Sequence, residues 1–191
     1  MTVPSKRVLI AGGAGAVLLF WLLFWGLPSW VNRRGTTPGT PSGDVAAEGR
    51  RINATLFFVA QDAQSLVPVR REVPYGATTG EQARHIVAAQ LGDAPATMHS
   101  PIPRGTTVRG VFVSENGTAF VDLSPEAAAN HPGGSTAEAL TIYSIVNAVI
   151  VSLPDVRAVQ ILVDGREVET LAGHVDLRHP LPKNTTWVIS Q

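Results

Sequence analysis

The chain has no cysteine among its 191 residues. It therefore cannot form a disulfide, supply a thiolate nucleophile or bind zinc through sulfur. Basic residues are also few beyond the N-terminal region: eleven Lys and Arg against fifteen Asp and Glu follow Gly35, a net charge of −4. A protein that binds the phosphate backbone of nucleic acids needs a basic face, so we expect no nucleic-acid partner.

An uninterrupted apolar segment is the most informative feature that is present. It begins at Val8 and ends at Leu27, and none of its twenty residues is ionisable. A helix rises about 1.5 Å per residue, so this segment spans the ~30 Å hydrocarbon core of a bilayer. It is longer than the apolar core of a cleaved signal peptide, and its end carries Trp21 and Trp25 instead of small residues. We expect an uncleaved, single-pass transmembrane helix in the lipid bilayer.

The residues around this segment define the expected domain organisation. Two basic side chains precede the segment and two follow it, so the N-terminal amine gives the N-terminal side one more positive charge. Because the more positive side faces the cytoplasm, we place residues 1–7 in the cytoplasm. Residues 28–51 are rich in Pro, Gly and Thr and are typical of a flexible tether. Residues 52–191 have the length of one domain, which we place outside the cytoplasmic membrane.

Hydrophobic periodicity predicts an α+β domain. Its elements follow in the order strand, strand, helix, hairpin, helix, hairpin, which gives about six strands and two helices. The first hairpin turns at Asn116-Gly117 and the second at Asp164-Gly165, with a return strand over residues 167–171. We expect one antiparallel or mixed sheet that two helices cover on one face.

Two capping boxes mark the predicted helix starts. Thr79 with Gln82 begins the first helix, and Ser135 with Glu138 begins the second. Apolar residues follow the second box on most sides of the helix, so we expect this helix to be covered on most sides.

An edge strand over residues 66–73 is the predicted contact surface. Pro68 cannot donate a hydrogen bond to a ladder, which confines this strand to the edge of a sheet. An exposed edge can accept a strand from another protein. The charged side chains Arg70, Arg71 and Glu72 on this strand equally favour a second interpretation, in which they block such pairing. The predicted binding residues are Leu66, Val67, Pro68, Val69, Arg70 and Arg71.

Six short segments occur in a characteristic order. They are Leu66-Val67-Pro68-Val69, Ser100-Pro101-Ile102-Pro103-Arg104-Gly105-Thr106, Ala119-Phe120-Val121-Asp122-Leu123-Ser124, Gly133-Gly134-Ser135-Thr136-Ala137-Glu138, Val163-Asp164-Gly165 and Gly173-His174-Val175-Asp176-Leu177. Together they resemble the sporulation and spore germination (GerMN) domain family. The resemblance implies an extracytoplasmic, tethered, non-enzymatic binding or assembly module, with homo-oligomer formation as an inherited property. Lipoprotein members use a cysteine that this chain lacks, so the helix must be its anchor.

Polar clusters give no strong indication of chemistry. His174 and Asp176 would share one face of a strand and His179 the other, so we expect a structural turn and no metal site. Asp122 and Glu126 could act as an acid and a base, but a carboxylate that bonds the backbone of a nearby turn is the simpler interpretation. No serine has the Gly-x-Ser-x-Gly context of a nucleophile. We expect no catalytic residue and no cofactor.

These features favour a membrane-anchored, non-enzymatic module for protein–protein interaction or assembly in the bacterial cell envelope. Its expected partners are the bilayer and other proteins or further copies of itself. An alternative is a peptidoglycan-, glycan- or small-ligand-binding module that uses the loop of residues 92–105, stiffened by Pro95, Pro101 and Pro103. A third is an envelope hydrolase that uses Asp122 or His174.

Overall fold

The computed structural model describes residues 49–189. The predicted anchor over residues 8–27 and nearly all of the predicted tether lie outside the described residues, so both stay predictions. Within the described part, one helix, Ser135–Ser152, is long and apolar enough to cross a bilayer. Most of its side chains are buried against the rest of the domain, so this helix belongs to the core. The prediction that it is covered on most sides is confirmed.

The described residues form seven strands and three helices, which confirms the α+β prediction. In chain order they are β1 (Arg51–Val59), β2 (Leu66–Pro74), α1 (Thr79–Gln90), β3 (Val108–Val113), β4 (Thr118–Leu123), α2 (Glu126–Ala129), α3 (Ser135–Ser152), β5 (Ala158–Val163), β6 (Arg166–Glu167) and β7 (Leu181–Pro182).

The strands form two sheets, so the prediction of one sheet is wrong. β1 and β2 make an antiparallel pair of their own. The second sheet has the order β3-β4-β5-β6, with β7 also paired to β5; only β4 and β5 run parallel. Alternation in a sequence shows which side chains face the core, but it does not show which strand pairs with which. Both α1 and α3 contact both sheets.

Buried side chains from both sheets pack against the two long helices, α1 and α3. In β1, Leu56 and Phe58 are fully buried, and in the second sheet Val121 and Ile161 are paired neighbours with almost no exposed surface. These residues and the apolar side chains of α3 belong to one continuous hydrophobic cluster. The small β1–β2 sheet is therefore held in place by the core, although an isolated pair of strands is only marginally stable in water.

The two predicted hairpin turns are present. Between β3 and β4, only Gly117 of the Asn116-Gly117 pair has a positive φ, of +82°. Between β5 and β6, Asp164 and Gly165 both do, at 54° and 73°, as a type I′ turn requires. The return strand predicted for residues 167–171 is wrong beyond Glu167, because the chain then leaves the ladder to reach a buried carboxylate described below.

Both helix starts differ from the prediction. The first capping box uses Thr78, one residue before Thr79: its hydroxyl accepts the N–H of Glu81 at 3.1 Å, and the Glu81 carboxylate accepts the Thr78 N–H. Gln82 is buried and bonds the backbone beyond β2 instead. At α3 the predicted box is absent, since Ser135 makes no side-chain cap.

Candidate interaction surface

The ladder between β1 and β2 shows which backbone groups of β2 point away from β1 and form its outer edge. Phe57 pairs with Pro68, yet both its N–H and its C=O bond the side chain of Gln90, so this pair exchanges no ladder bonds. Ladder bonds in an antiparallel pair involve every second residue. The backbone groups of Pro68, Arg70 and Glu72 therefore point outward, away from the sheet.

Both ends of this outer edge are closed by the chain itself. At the start, the Leu66 N–H donates to the Trp187 C=O at 2.6 Å and the Leu66 C=O accepts from the Ile189 N–H at 2.9 Å. At the far end, the Pro74 C=O accepts from the Gln82 side chain at 3.1 Å and lies 3.0 Å from the His85 ring. Within residues 49–189, the short stretch between Pro68 and Pro74 is what remains open.

The side chains of this open stretch differ in direction. Arg70 and Glu72 are exposed and lie on the same face of the strand. Arg71 lies on the other face: its guanidinium is 5.1 Å from the centre of the Phe58 ring and donates to the Asp93 C=O at 3.0 Å. Of the three charged side chains that could block pairing, Arg70 and Glu72 therefore flank the open backbone, while Arg71 is directed inward.

The structure places the predicted binding residues unevenly on this edge. Leu66 is fully buried and already paired, while Val67, Pro68 and Val69 are half-buried. Arg70 is exposed, and Arg71 is partly covered. The six predicted residues thus cover the open stretch only in part, because Glu72 lies in the predicted edge strand of residues 66–73 but is not one of the six.

The second half of the opposite edge, along β1 from Thr55 to Val59, is closed by side chains and a bridge. Gln90 bonds both backbone groups of Phe57, with distances of 2.8 and 2.7 Å. Val59 exchanges two backbone bonds with His99, each 2.9 Å long. The Thr55 N–H donates to the hydroxyl of Ser152 at 3.0 Å. Among the described residues, the outer side of β1 is therefore occupied from Thr55 to Val59, whereas its beginning at Arg51 and Asn53 is exposed.

In the larger sheet, α1 lies beside the outer edge of β3. The Arg84 guanidinium donates to the Arg109 C=O at 3.2 Å, and the backbone of Gly80 lies next to the Val111 C=O. Phe112, on the face of that strand, is 65% exposed and stacks against Phe120 with 6.3 Å between ring centres. An exposed aromatic beside a partly covered edge was not among the predicted site residues.

A cleft of about 650 Å³ lies along the proline-containing loop. Its walls include Asp93, His99, Ile102 and Arg104, so both polar and apolar groups line it. This loop was the predicted alternative binding site, and the structure gives it a concave surface.

A buried carboxylate forms the most densely bonded polar site of the described chain. Glu138, in the first turn of α3, has 0% exposure. One of its oxygens accepts the N–H groups of Leu171 and Ala172 at 2.8 and 2.9 Å. The other accepts the N–H of His174 at 2.8 Å and lies 3.2 Å from its Nδ1. Two of the six short segments named above, residues 133–138 and 173–177, meet here.

The electrostatics of Glu138 reflect two opposing effects. Burial raises the pKa of this carboxyl, because a low-dielectric environment disfavours charge. The backbone N–H donors of Ala172, His174 and Leu171 outweigh burial and hold the pKa of Glu138 below its ordinary value. Glu138 is therefore an ionised clamp that fixes the segment following β6.

A second histidine lies near this clamp. His131 accepts the Gly133 N–H at its Nδ1, 3.0 Å away, and its Nε2 lies 3.2 Å from the Thr141 hydroxyl. Burial lowers the pKa of His131, and the negative charge of Glu138 only partly offsets that effect. His131 is therefore held in its neutral form by the fold.

The histidine-rich segment near the C-terminus forms a turn, as predicted. Asp176 accepts the N–H of Arg178 at 3.0 Å and its guanidinium at 2.9 and 2.7 Å. These bonds hold the pKa of Asp176 far below its ordinary value. His174 is engaged with Glu138 instead. In the part of the chain that the structure describes, no three His, Cys, Asp or Glu side chains converge as a metal site would require.

The two candidate acid–base residues serve backbone positions. Asp122 accepts the Gly165 N–H at 2.8 Å and forms ion pairs with Arg109, which also contacts Asp164. Asp122 thus bonds the backbone of a turn, as predicted. That turn belongs to the β5–β6 hairpin and does not directly follow Asp122 in the chain. The Ser124 hydroxyl lowers the pKa of Glu126, which also begins α2. The lowered pKa keeps Glu126 ionised at neutral pH.

Comparison with known proteins identifies the domain. The profile of the Germane family, described as sporulation and spore germination, matches residues 55–169, which is more than half of the chain. The chain belongs to the Germane family. No curated protein has a sequence that matches it. The segment after residue 169, which includes the residues that close the start of the β2 edge, lies outside the family match.

Solved structures share the Germane fold. A candidate lipoprotein from Clostridium perfringens is 22% identical with a TM-score of 0.51, over 71% of this chain and 89% of that one. The first GerMN domain of the sporulation protein GerM from Bacillus subtilis is 18% identical with a TM-score of 0.54, over 69% and 97%. The tandem GerMN domains of the same protein give 16% and 0.54, over 71% of this chain and 45% of that one. At these identities the similarity concerns the fold alone.

Proposed function

We propose that this Germane-family protein is a non-enzymatic interaction module that a single N-terminal helix anchors in the cytoplasmic membrane of a bacterium. Its domain lies on the outer side and makes protein–protein contacts in the cell envelope. The observation that carries the proposal is the β2 edge, where backbone groups at Arg70 and Glu72 stay open between two ends that the chain closes itself. A strand edge left open in this way is suited to strand addition.

Membrane anchoring is supported by the sequence. The twenty-residue apolar segment before the domain has the length of a bilayer span and carries no charge. The similarity to a candidate lipoprotein agrees with a tethered domain, with a helix in the place of a lipid.

Fractionation and site-specific crosslinking of the full chain test this proposal together. We expect the full chain in the membrane fraction, with its domain accessible to protease added outside spheroplasts. A photo-reactive side chain at Glu72 should then give protein adducts, and the same group at Glu167, which is exposed on β6, should give none. Recovery of the full chain as dissolved cytosolic protein contradicts the proposal, and so do equal adducts at both positions.

A second candidate, binding of peptidoglycan or a small ligand, is favoured by the 650 Å³ cleft along the proline-containing loop. Ligand sites are concave and carry polar groups that orient the ligand, and this cleft has Asp93, His99 and Arg104 in its walls. Retention of the full chain on purified peptidoglycan, reduced by Arg104→Ala and unchanged by Arg166→Ala, would support it. Retention no greater than on an uncharged resin would contradict it.

The third candidate, an envelope hydrolase, is tested through its two named residues. Asp122 bonds Arg109 and a backbone N–H, and Nδ1 of His174 lies against Glu138, so both side chains are engaged in contacts that hold the fold. A hydrolytic activity that Asp122→Asn or His174→Ala abolished would revive this candidate.

A further inference from the structure

We propose that the partner of the β2 edge is the β2 edge of a second copy of this chain, paired antiparallel around a two-fold axis at Arg71. This inference rests on the proposed function and deepens it by naming the partner. Pairing would join the two small sheets into one four-stranded sheet. The backbone, the charges and the prolines of the open stretch all favour this one register.

The backbone of the open stretch is complementary to itself. In an antiparallel pair centred on Arg71, Arg70 faces the partner's Glu72, and Glu72 faces the partner's Arg70. Both residues point their N–H and C=O groups outward, so each facing pair exchanges two hydrogen bonds. One position further out, Pro68 faces the partner's Pro74. Neither proline can donate, so the ladder ends there on both sides.

The charges of the stretch are complementary in the same register. Each exposed arginine lies directly opposite an exposed glutamate, and opposite charges at such positions stabilise a strand pair. Arg71 faces the partner's Arg71, which would be unfavourable if both guanidinium groups lay at the axis. Each is directed inward instead, over the ring of Phe58 and onto the Asp93 C=O.

The neighbouring registers lose both the charge complementarity and some of the backbone hydrogen bonds. A pair centred on Arg70 brings two arginines face to face and sets Glu72 against the partner's Pro68. A pair centred on Glu72 brings two glutamates face to face and sets Arg70 against the partner's Pro74. Each of these registers replaces opposite charges by like charges and loses hydrogen bonds at a proline. Registers shifted by one residue would oppose outward and inward backbone groups.

Charge reversal tests the register on the full chain in detergent micelles. We expect Arg70→Glu and Glu72→Arg each to weaken dimerisation, measured by sedimentation across a concentration series, by about tenfold or more. The double variant Arg70→Glu with Glu72→Arg restores both facing pairs, so its dissociation constant should return to within about threefold of the starting protein. Glu167→Arg, on the exposed β6 strand, is the matched control and should change nothing.

Cysteine crosslinking tests the axis, because the chain has no cysteine of its own. Arg71→Cys places two thiols at directly opposed residues, with the Cα atoms about 4.5 Å apart, which is within disulfide range. Val69→Cys lies on the same face of the same strand, but its two copies would be about 14 Å apart. Mild oxidation should therefore give a covalent dimer from Arg71→Cys and none from Val69→Cys.

The outcomes separate this inference from the proposed function. A chain that stays monomeric at every concentration, or a dimer that ignores both charge reversals, overturns the two-fold pairing. If the photo-reactive group at Glu72 then still captures a different protein in cells, the proposed function stands without this partner. If neither experiment finds a contact at the edge, both fail. Rescue by the double variant together with selective crosslinking at Arg71→Cys supports the inference.

Discussion

Replacement of Glu138 is the sharpest test of how this domain is held together. The carboxylate accepts three backbone N–H groups from the segment after β6 and has no exposure to water. Glu138→Ala removes every one of those acceptors. Glu138→Gln keeps the size and one carbonyl oxygen, but it turns an NH₂ group toward one of the N–H donors.

The structure sets the size of the expected effect. A buried donor left without a partner costs about 1–3 kcal/mol. Three donors at the lower end of that range, since water can reach the space left by alanine, give about 3 kcal/mol for Glu138→Ala. Glu138→Gln keeps the acceptor for two donors, so about 1–2 kcal/mol is expected. Glu167→Ala, on the exposed β6 strand, should change stability by less than about 0.5 kcal/mol.

Urea unfolding of the three variants measures this directly. With a slope of about 2 kcal/mol per molar urea for a domain of this size, Glu138→Ala should lower the midpoint by about 1.5 M. Amide hydrogen exchange should also speed up at Leu171 and Ala172 in that variant. A loss below about 1 kcal/mol for Glu138→Ala, or a greater loss for Glu138→Gln than for Glu138→Ala, would refute the clamp.

Three further predictions follow from other contacts. Gln90→Ala leaves both backbone groups of Phe57 without partners and should cost about 2–4 kcal/mol in the same urea assay; a neutral result would contradict the role of this side chain. Gly117→Ala forces a positive φ on alanine and places its Cβ 2.7 Å from a backbone oxygen, so it should lower the melting temperature, whereas Gly110→Ala, with open space around it, should not. The unfolded state binds a proton at His131 more readily than the folded state, so stability should fall as the pH decreases below about 6.5, and His131→Gln should remove that slope.

A falling pH should also weaken the Glu138 clamp, so its effect on stability has the same sign as that of His131. The folded-state pKa of Glu138 is lower than its ordinary value of 4.5, so its stabilising contribution is present above that pH. It is lost as the pH falls through the lower, folded-state pKa. Unfolding measured between about pH 5 and 3 should therefore show a steep loss of stability that Glu138→Gln lacks.

Local sequence patterns predicted the elements whose cause is local. The turn at Gly117 and the turn at Asp164-Gly165 depend on backbone angles that few residue types tolerate. The residue types alone therefore predict both turns. The long apolar helix was equally evident, because apolar residues on most of its sides require burial on most sides.

Features that depend on distant partners could not be predicted in this way. The pattern Ser-x-x-Glu at residue 135 fits a capping box, yet the glutamate bonds a loop more than thirty residues away, which no local pattern encodes. Gln90 has the appearance of an ordinary polar residue on a helix, and only the packed structure brings it to Phe57. For the same reason the sequence indicated the edge strand at Pro68 but did not show which part of that edge stays open.

The partly occupied outer side of β1 limits how far this protein could polymerise through its small sheet. A two-stranded sheet with both borders free could recruit a neighbour on each side and grow without end into a fibril, as cross-β assemblies do. In the described part of the chain, Gln90, Ser152 and His99 occupy one border from Thr55 to Val59, so β1 offers only a short stretch to an additional strand. Growth on that side of the small sheet would therefore be limited, which lowers its tendency to aggregate edge to edge.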